Sequence, residues 1–262
     1  MTLEDGLLKN SILNLSTAIR TALLPEVHQC IRDIETDFDS VTEYKTTITQ
    51  WLKPVIDLSE FHVYPINGIT EGLNWWQSIE KRNILMDEGE YQWVQPRNNP
   101  NIQDAIIYKS IPNSADGNFC DVPSHLPVAL DLAYVGSTAV RQIEIGQNVE
   151  HVFYSLSKSF GVRNIRTGWY FTRKEDTRLK SITHGAKYYN YHARNVSEKI
   201  INTFSIDYVH TKLKDQQLAV CNKLGLTPSD SVWLATTDNE EYSKFIRRGN
   251  IARVCLSGTY EL

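Results

Sequence analysis

Lys158 stands in the run His151–Gly168, HVFYSLSKSFGVRNIRTG, where an apolar, β-prone segment gives way to a loop carrying glycine and arginine. In open α/β sheets, ligands bind beyond the carboxyl ends of the strands. A lysine at such a point is partly desolvated, which favours its neutral, nucleophilic form. Ser155 supplies a hydroxyl beside it, and Arg166, eight residues on, supplies a planar fork that suits a phosphate. Twenty-seven residues upstream of the lysine, VALDLAY puts Asp131 at the end of another apolar run. A carboxylate there is costly without a partner, and a protonated ring nitrogen would be one. Tyr134, just past the strand end, has a hydroxyl able to reach a phenolic oxygen. Farther upstream, YPINGITEGLN reads as a strand, a tight Asn67-Gly68 turn and a helix starting near Thr70. The free N–H groups of that helix start suit an anion. Asn-Gly turns and strand-end aspartates are common singly; the set carries the chemistry.

The elements that must position these residues are short. Phe61–Tyr64, Asn83–Met86, Ala105–Tyr108, Val128–Leu132, His151–Tyr154 and Gly168–Thr172 read as strands. Several are continuously apolar, as in a parallel sheet covered on both faces. The first fifty residues look helical, with Ile12, Leu15, Ile19 and Leu23, then Val27, Cys30, Ile31, Ile34 and Phe38, at helical spacing. Residues 173–226 look helical again. Two late strands, Val232–Thr237 and Ile251–Leu256, flank a helix over Glu240–Arg247. The fold class expected is α/β, a doubly wound, mostly parallel sheet with a small α+β end. The divisions expected are a helical segment over 1–60, a large α/β domain over 61–175, and connecting helices with a small domain over 176–262.

Composition narrows the function classes. The chain has 262 residues, 41% apolar and 22% charged, enough for a sizeable core and too apolar for disorder. Its 27 Lys and Arg against 31 Asp and Glu leave a net charge of −4, which gives no electrostatic reason for a nucleic-acid partner. Cys30, Cys120, Cys221 and Cys255 lie far apart and form no metal-ligand pattern with histidine, so no metal is expected and the thiols read as reduced. The acidic start MTLEDGLLKN is unlike a signal or transit peptide, and no run is long and apolar enough to span a bilayer. A cytoplasmic protein without a membrane partner is the expectation.

In order along the chain, NGITEG, DLAY, SLSKSFGVRNIRTGWYF and IARVCLSG resemble the class I/II aminotransferases, a family of fold-type I pyridoxal-phosphate enzymes. The matching pieces span residues 64–256. The resemblance implies that Lys158 carries pyridoxal 5'-phosphate as a Schiff base and that Asp131 pairs with its pyridine nitrogen. Tyr134 would contact the ring's phenolic oxygen. Ser155, Arg166 and the amides around Gly68 and Ile69 would hold the phosphate. Arg253 matches the arginine that binds the substrate α-carboxylate, and Tyr91, or else Trp93, matches the aromatic that stacks on the ring. It also implies an amino acid and a 2-oxo acid as substrates, and a homodimer.

The sequence departs from the family pattern in two places. Where the family has an asparagine for the ring oxygen, the loop Ser110–Gly117 has Ser114, with Asn113 one residue early. The chain is also short, with a compacted interval between Gly68 and Lys158, which bears on the substrate side. Arg163 and Arg97 are open candidates for a substrate side-chain carboxylate. Lyase or synthase chemistry on the same fold, or a reduced, non-catalytic relative, are the competing readings.

Overall fold

The computed structural model describes residues 14–36, 44–246 and 250–262. In chain order the elements are α1 (Pro25–Ile31), α2 (Tyr44–Leu52), β1 (His62–Pro65), α3 (Ile69–Ile79), β2 (Asn83–Met86), β3 (Ala105–Ser110), β4 (Val128–Asp131) and β5 (Val149–Tyr154). They continue with α4 (Leu156–Ser159), β6 (Trp169–Thr172), α5 (Thr177–Lys180), α6 (Tyr191–Thr203), α7 (Tyr208–Leu224), β7 (Thr227–Pro228), β8 (Leu234–Thr237) and β9 (Ala252–Cys255).

Six strands form one sheet in the order β1-β6-β5-β4-β3-β2. Strands β2 to β5 run parallel, and β6 runs antiparallel to both β5 and β1. Neighbouring residues on each strand bury into opposite layers, as period-two geometry requires. Tyr64, Ala129, Phe153 and Tyr170 join α3, through Leu73 and Trp76, in one cluster. Val63, Leu130, Val152 and Phe171 face the other way, against residues of α1, α2, α6 and α7. Both faces are covered, which is why the strands read as unbroken apolar runs. This is the expected α/β, doubly wound architecture. A second, antiparallel sheet, β7-β8-β9, is the small one.

The N-terminal reading needs correction. Leu15, Ile19 and Leu23 are not helical: residues 14–24 form an irregular strap, and Ser16 pairs with Cys255 of β9 through two backbone hydrogen bonds of 2.8 and 3.4 Å. Pro25 forces the residue before it out of the helical region, and Leu24 is extended at φ −66° and ψ 143°, so the helix starts only at Pro25. Ile12, Phe38 and Arg247 lie outside the described residues. The helix expected from Glu240 is a 3₁₀ stretch ending at Phe245. Tyr188 and Tyr189 precede α6 rather than lying on it, and Tyr188 is exposed.

Candidate active site

The carboxyl ends of β3, β4 and β5 align in register, with Ser110 opposite Asp131 and Asp131 opposite Phe153. Beyond that edge lies a cavity of about 630 Å³. Asp131, the last residue of β4, is buried in its floor. Its oxygens accept from the Tyr108 hydroxyl at 2.7 Å and from the Ala133 N–H at 2.8 Å. Burial pushes its carboxyl up to about 6, against the pull of those two bonds and of Lys158. No cation among the described residues forms an ion pair with it.

One strand over, β5 ends at Tyr154 and the chain turns into the single-turn helix α4. Ser155 caps that turn, its hydroxyl oxygen accepting from the Ser157 N–H at 3.0 Å. Lys158 therefore faces the cavity from the helix. Its Nζ donates to the Ile19 carbonyl of the strap at 3.0 Å. Burial lowers its pKa, and the nearby Arg163 and Arg253 lower it further, while Cys255 and Asp131 oppose this.

The turn between β1 and α3 meets the loop before β6. Gly68 sits at φ +81°, and a side chain there would run into the Arg166 guanidinium. Arg166, itself at φ 65°, donates to the Asn67 carbonyl at 3.0 Å and the Arg163 carbonyl at 3.3 Å. The Gly68 N–H is occupied by the Ile66 carbonyl at 2.9 Å. The amides left for a ligand are those of Ile69 and Thr70, which find no acceptor among the described residues.

The opposite wall comes from the small sheet and the loop after β3. Arg253, on β9, donates to the Ser114 and Thr17 carbonyls. Tyr134 is buried, and burial pushes its hydroxyl up to about 12, against the Arg253 charge and a Ser114 hydrogen bond. Tyr91 touches the Thr70 hydroxyl at 3.3 Å.

The cavity thus brings together Lys158, Asp131, Tyr134, Ser155, Arg166, Ile69, Tyr91, Ser114 and Arg253, with Gly68 directly beneath Arg166. Trp93 lies outside it, exposed and bonded to Asn74. Asn113 is also absent from the lining; its side chain accepts from the Ala115 N–H at 2.6 Å. Arg97 is held by the Glu80 and Gln77 carbonyls away from the cavity, whereas Arg163 is on its rim.

Ser157 and Glu90 line the cavity without having been given a part by the sequence. The Ser157 hydroxyl is buried with no hydrogen-bond partner among the described residues. The SxSK spacing itself could have flagged it. Glu90 is 2% exposed and accepts from Ser110. Its burial shows in no sequence pattern, because a lone glutamate beside a glycine reads as surface.

No family model matches the sequence, and no curated protein matches it. Solved structures match in fold. A pyridoxal-phosphate-bound C–S lyase from Staphylococcus hominis aligns with TM-score 0.67 and 13% identity, over 90% of this chain and 84% of that one. A histidinol-phosphate aminotransferase from Sinorhizobium meliloti, in complex with pyridoxal-5'-phosphate, gives 0.60 and 13%, over 91% and 84%. An aminotransferase from Staphylococcus aureus gives 0.58 and 15%, over 91% and 88%. The chain therefore has the fold these enzymes share.

Proposed function

We propose that the chain is a pyridoxal-phosphate-dependent aminotransferase that moves an amino group between an amino acid and a 2-oxo acid. The observation that carries this reading is the convergence of Lys158, Asp131 and Arg253, from three separate elements, on one cavity. The homodimer implied by the resemblance and the cytoplasmic location expected from the sequence belong to the same proposal.

The residues present fit that cofactor. Asp131 is a buried carboxyl with no ion-pair partner among the described residues, suited to a protonated pyridine nitrogen. The Ser157 hydroxyl finds no partner among the described residues, and the absent Gly68 side chain leaves the space Arg166 fills. With the Ser155 hydroxyl and the Ile69 and Thr70 amides, these groups would take the phosphate.

When bound, the cofactor supplies an electron sink for charge developing at the substrate α-carbon. Asp131 would hold the positive ring nitrogen, and the Tyr134 and Ser114 hydroxyls would face the ring oxygen. Tyr91 would lie against the ring. Arg253 would clamp the α-carboxylate, its guanidinium fixed by two backbone carbonyls. Lys158 would hold the cofactor covalently through Nζ, and the same Nζ, when free, would take the proton from the substrate α-carbon and deliver it to the cofactor side of the reacting bond rather than back to that carbon. Burial favours the neutral amine this requires.

The second reading is a lyase, favoured because the C–S lyase superposes with a higher TM-score than either aminotransferase cited above. The test is the visible spectrum of protein loaded with pyridoxal 5'-phosphate, before and after borohydride. A reducible lysine adduct is expected in wild type and not in Lys158→Ala. Adding an amino acid alone should then convert the cofactor stoichiometrically to its amine form. Release of a product with the original spectrum restored would point to the lyase. Colour that no amino acid alters would point to a non-catalytic relative.

A further inference from the structure

Glu90 is a buried carboxyl on the cavity wall to which the mechanism above gives no part. Both its oxygens face Ser110: the Ser110 N–H donates to Oε1 at 3.0 Å, and the Ser110 hydroxyl donates to Oε2. The same hydroxyl oxygen accepts from the Ser114 N–H at 2.7 Å. Ser114 in turn offers its carbonyl to Arg253, and its side chain is one of the influences that lower the Tyr134 pKa against burial. One chain of hydrogen bonds therefore runs from Glu90 through Ser110 and Ser114 to Arg253, the residue assigned to the substrate carboxylate, with Tyr134 beside Ser114. The segment carrying Glu90 is tied to the same loop by packing, because Gly89, at φ +91°, lies against Ala115 with no room for a side chain.

The bonds suit the anion. The Ser110 hydroxyl oxygen receives the Ser114 N–H and its one proton goes to Glu90 Oε2, so both Glu90 oxygens accept. A protonated Oε2 would donate to Ser110 instead, and the Ser110 proton would then turn away from Glu90. The charged and titratable groups around Glu90 are Lys109, with Nζ 4.0 Å away and also paired to Asp87, Asp131 on β4, Tyr108 on β3, and Cys120. Burial holds the Glu90 carboxyl up to about 7, against the Ser110 bonds and Lys109.

We propose that Glu90 is a positioning residue that, as a carboxylate and through Ser110, holds the Ser114 loop and so sets the placement of Arg253 and the charge felt at the ring oxygen. This rests on the proposed cofactor site.

The experiment compares wild type, Glu90→Gln and Ser110→Ala, each titrated with pyridoxal 5'-phosphate and followed spectrally from pH 5.5 to 9. Removing a nearby negative charge lowers the pKa of a neighbouring group, so Glu90→Gln should move the pH midpoint of the cofactor's visible band down by about half a unit or more. Ser110→Ala keeps the charge and cuts the link. It should move the midpoint less, while raising the amino-acid concentration for half-saturation roughly five- to tenfold with little change in kcat. A merely structural role would lower the melting temperature of both variants and leave the midpoint and half-saturation where wild type has them; that result overturns the proposal. If Glu90→Gln does not fold, the half-saturation of Ser110→Ala decides alone, an unchanged value overturning it. If wild type itself forms no borohydride-reducible adduct, the underlying cofactor reading has failed. Normal wild-type loading with unmoved variants is failure of the Glu90 inference only.

Discussion

On one side of the cavity, Asp131, Lys158 and the Gly68–Arg166 pair are placed by the ends and turns of β4, β5, β1 and β6, whose register the ladders fix residue by residue. On the other side, Arg253, Ser114 and Ile19 belong to the small sheet, a loop and the N-terminal strap. Hydrogen bonds to backbone carbonyls tie them together and to Lys158: Arg253 donates to Ser114 and Thr17, and Lys158 donates to Ile19. The first wall is set at the ends and turns of the six-stranded sheet; on the second only Arg253 lies on a strand, and Ser114 and Ile19 lie outside both sheets. On the proposed reading, the lysine, the aspartate and the phosphate groups fall on the first and the carboxylate clamp on the second. A scaffold of this kind keeps one chemistry while the substrate side changes.

The largest expected effect breaks the first wall at its reactive atom. Lys158→Ala should abolish the reducible adduct and lower turnover by roughly a thousandfold or more, with the fold retained because only the Ile19 bond is lost. Absorbance, borohydride trapping and a melting curve check this together. An unchanged adduct would place the nucleophile elsewhere.

The second wall should respond differently. Arg253→Ala removes a charged clamp and should raise the amino-acid concentration for half-maximal rate by roughly a hundredfold, leaving the cofactor's visible band in place. Loss of the band instead would mean that the two walls are not separable. Gly68→Ala tests the first wall with a smaller blow. The new methyl meets the Arg166 guanidinium and sits at positive φ, so cofactor affinity should fall roughly tenfold in a spectral titration.

The same division explains what could be read in advance. Asn83–Met86 is a strand over the limits its apolar run suggests, with Asn83 and Ile84 buried and Leu85 exposed at this edge of the sheet. Asp131, Lys158 and Arg166 were legible because strand ends and glycine turns mark where a ligand must sit. The substrate wall was less legible. Leu15, Ile19 and Leu23 have helical spacing, yet they lie in an irregular strap, since Pro25 and the Ser16–Cys255 pairing override the local pattern. Glu90 is not legible for a related reason: its hydrogen-bond partner is Ser110, twenty residues away on β3, and single-chain periodicity carries no such partner. Ser114 was placed by its loop, but that Arg253 would hold its carbonyl follows only from tertiary packing.

The smallest effect expected is also the most specific to the first wall. In the cofactor-free protein, burial raises the Asp131 carboxyl from its ordinary 3.8 to about 6, so the folded chain binds that proton more tightly than the unfolded one. Stability from this group is therefore fullest below about pH 4, falls as pH rises through 6, and stays lower above it. Asparagine cannot ionise, and its amide can still accept from Ala133 and donate to the Tyr108 oxygen. Cofactor-free Asp131→Asn should therefore melt a few degrees above wild type at pH 8 and close to it near pH 4. Loading with pyridoxal 5'-phosphate should reverse the order at pH 8, because only the carboxylate can hold a protonated ring nitrogen and only bound ligand adds stability. Melting curves at the two pH values, with and without cofactor, decide it. A variant that is less stable than wild type in both states would show that Asp131 is a structural anchor for Tyr108 and Ala133 rather than a carboxylate waiting for a cation.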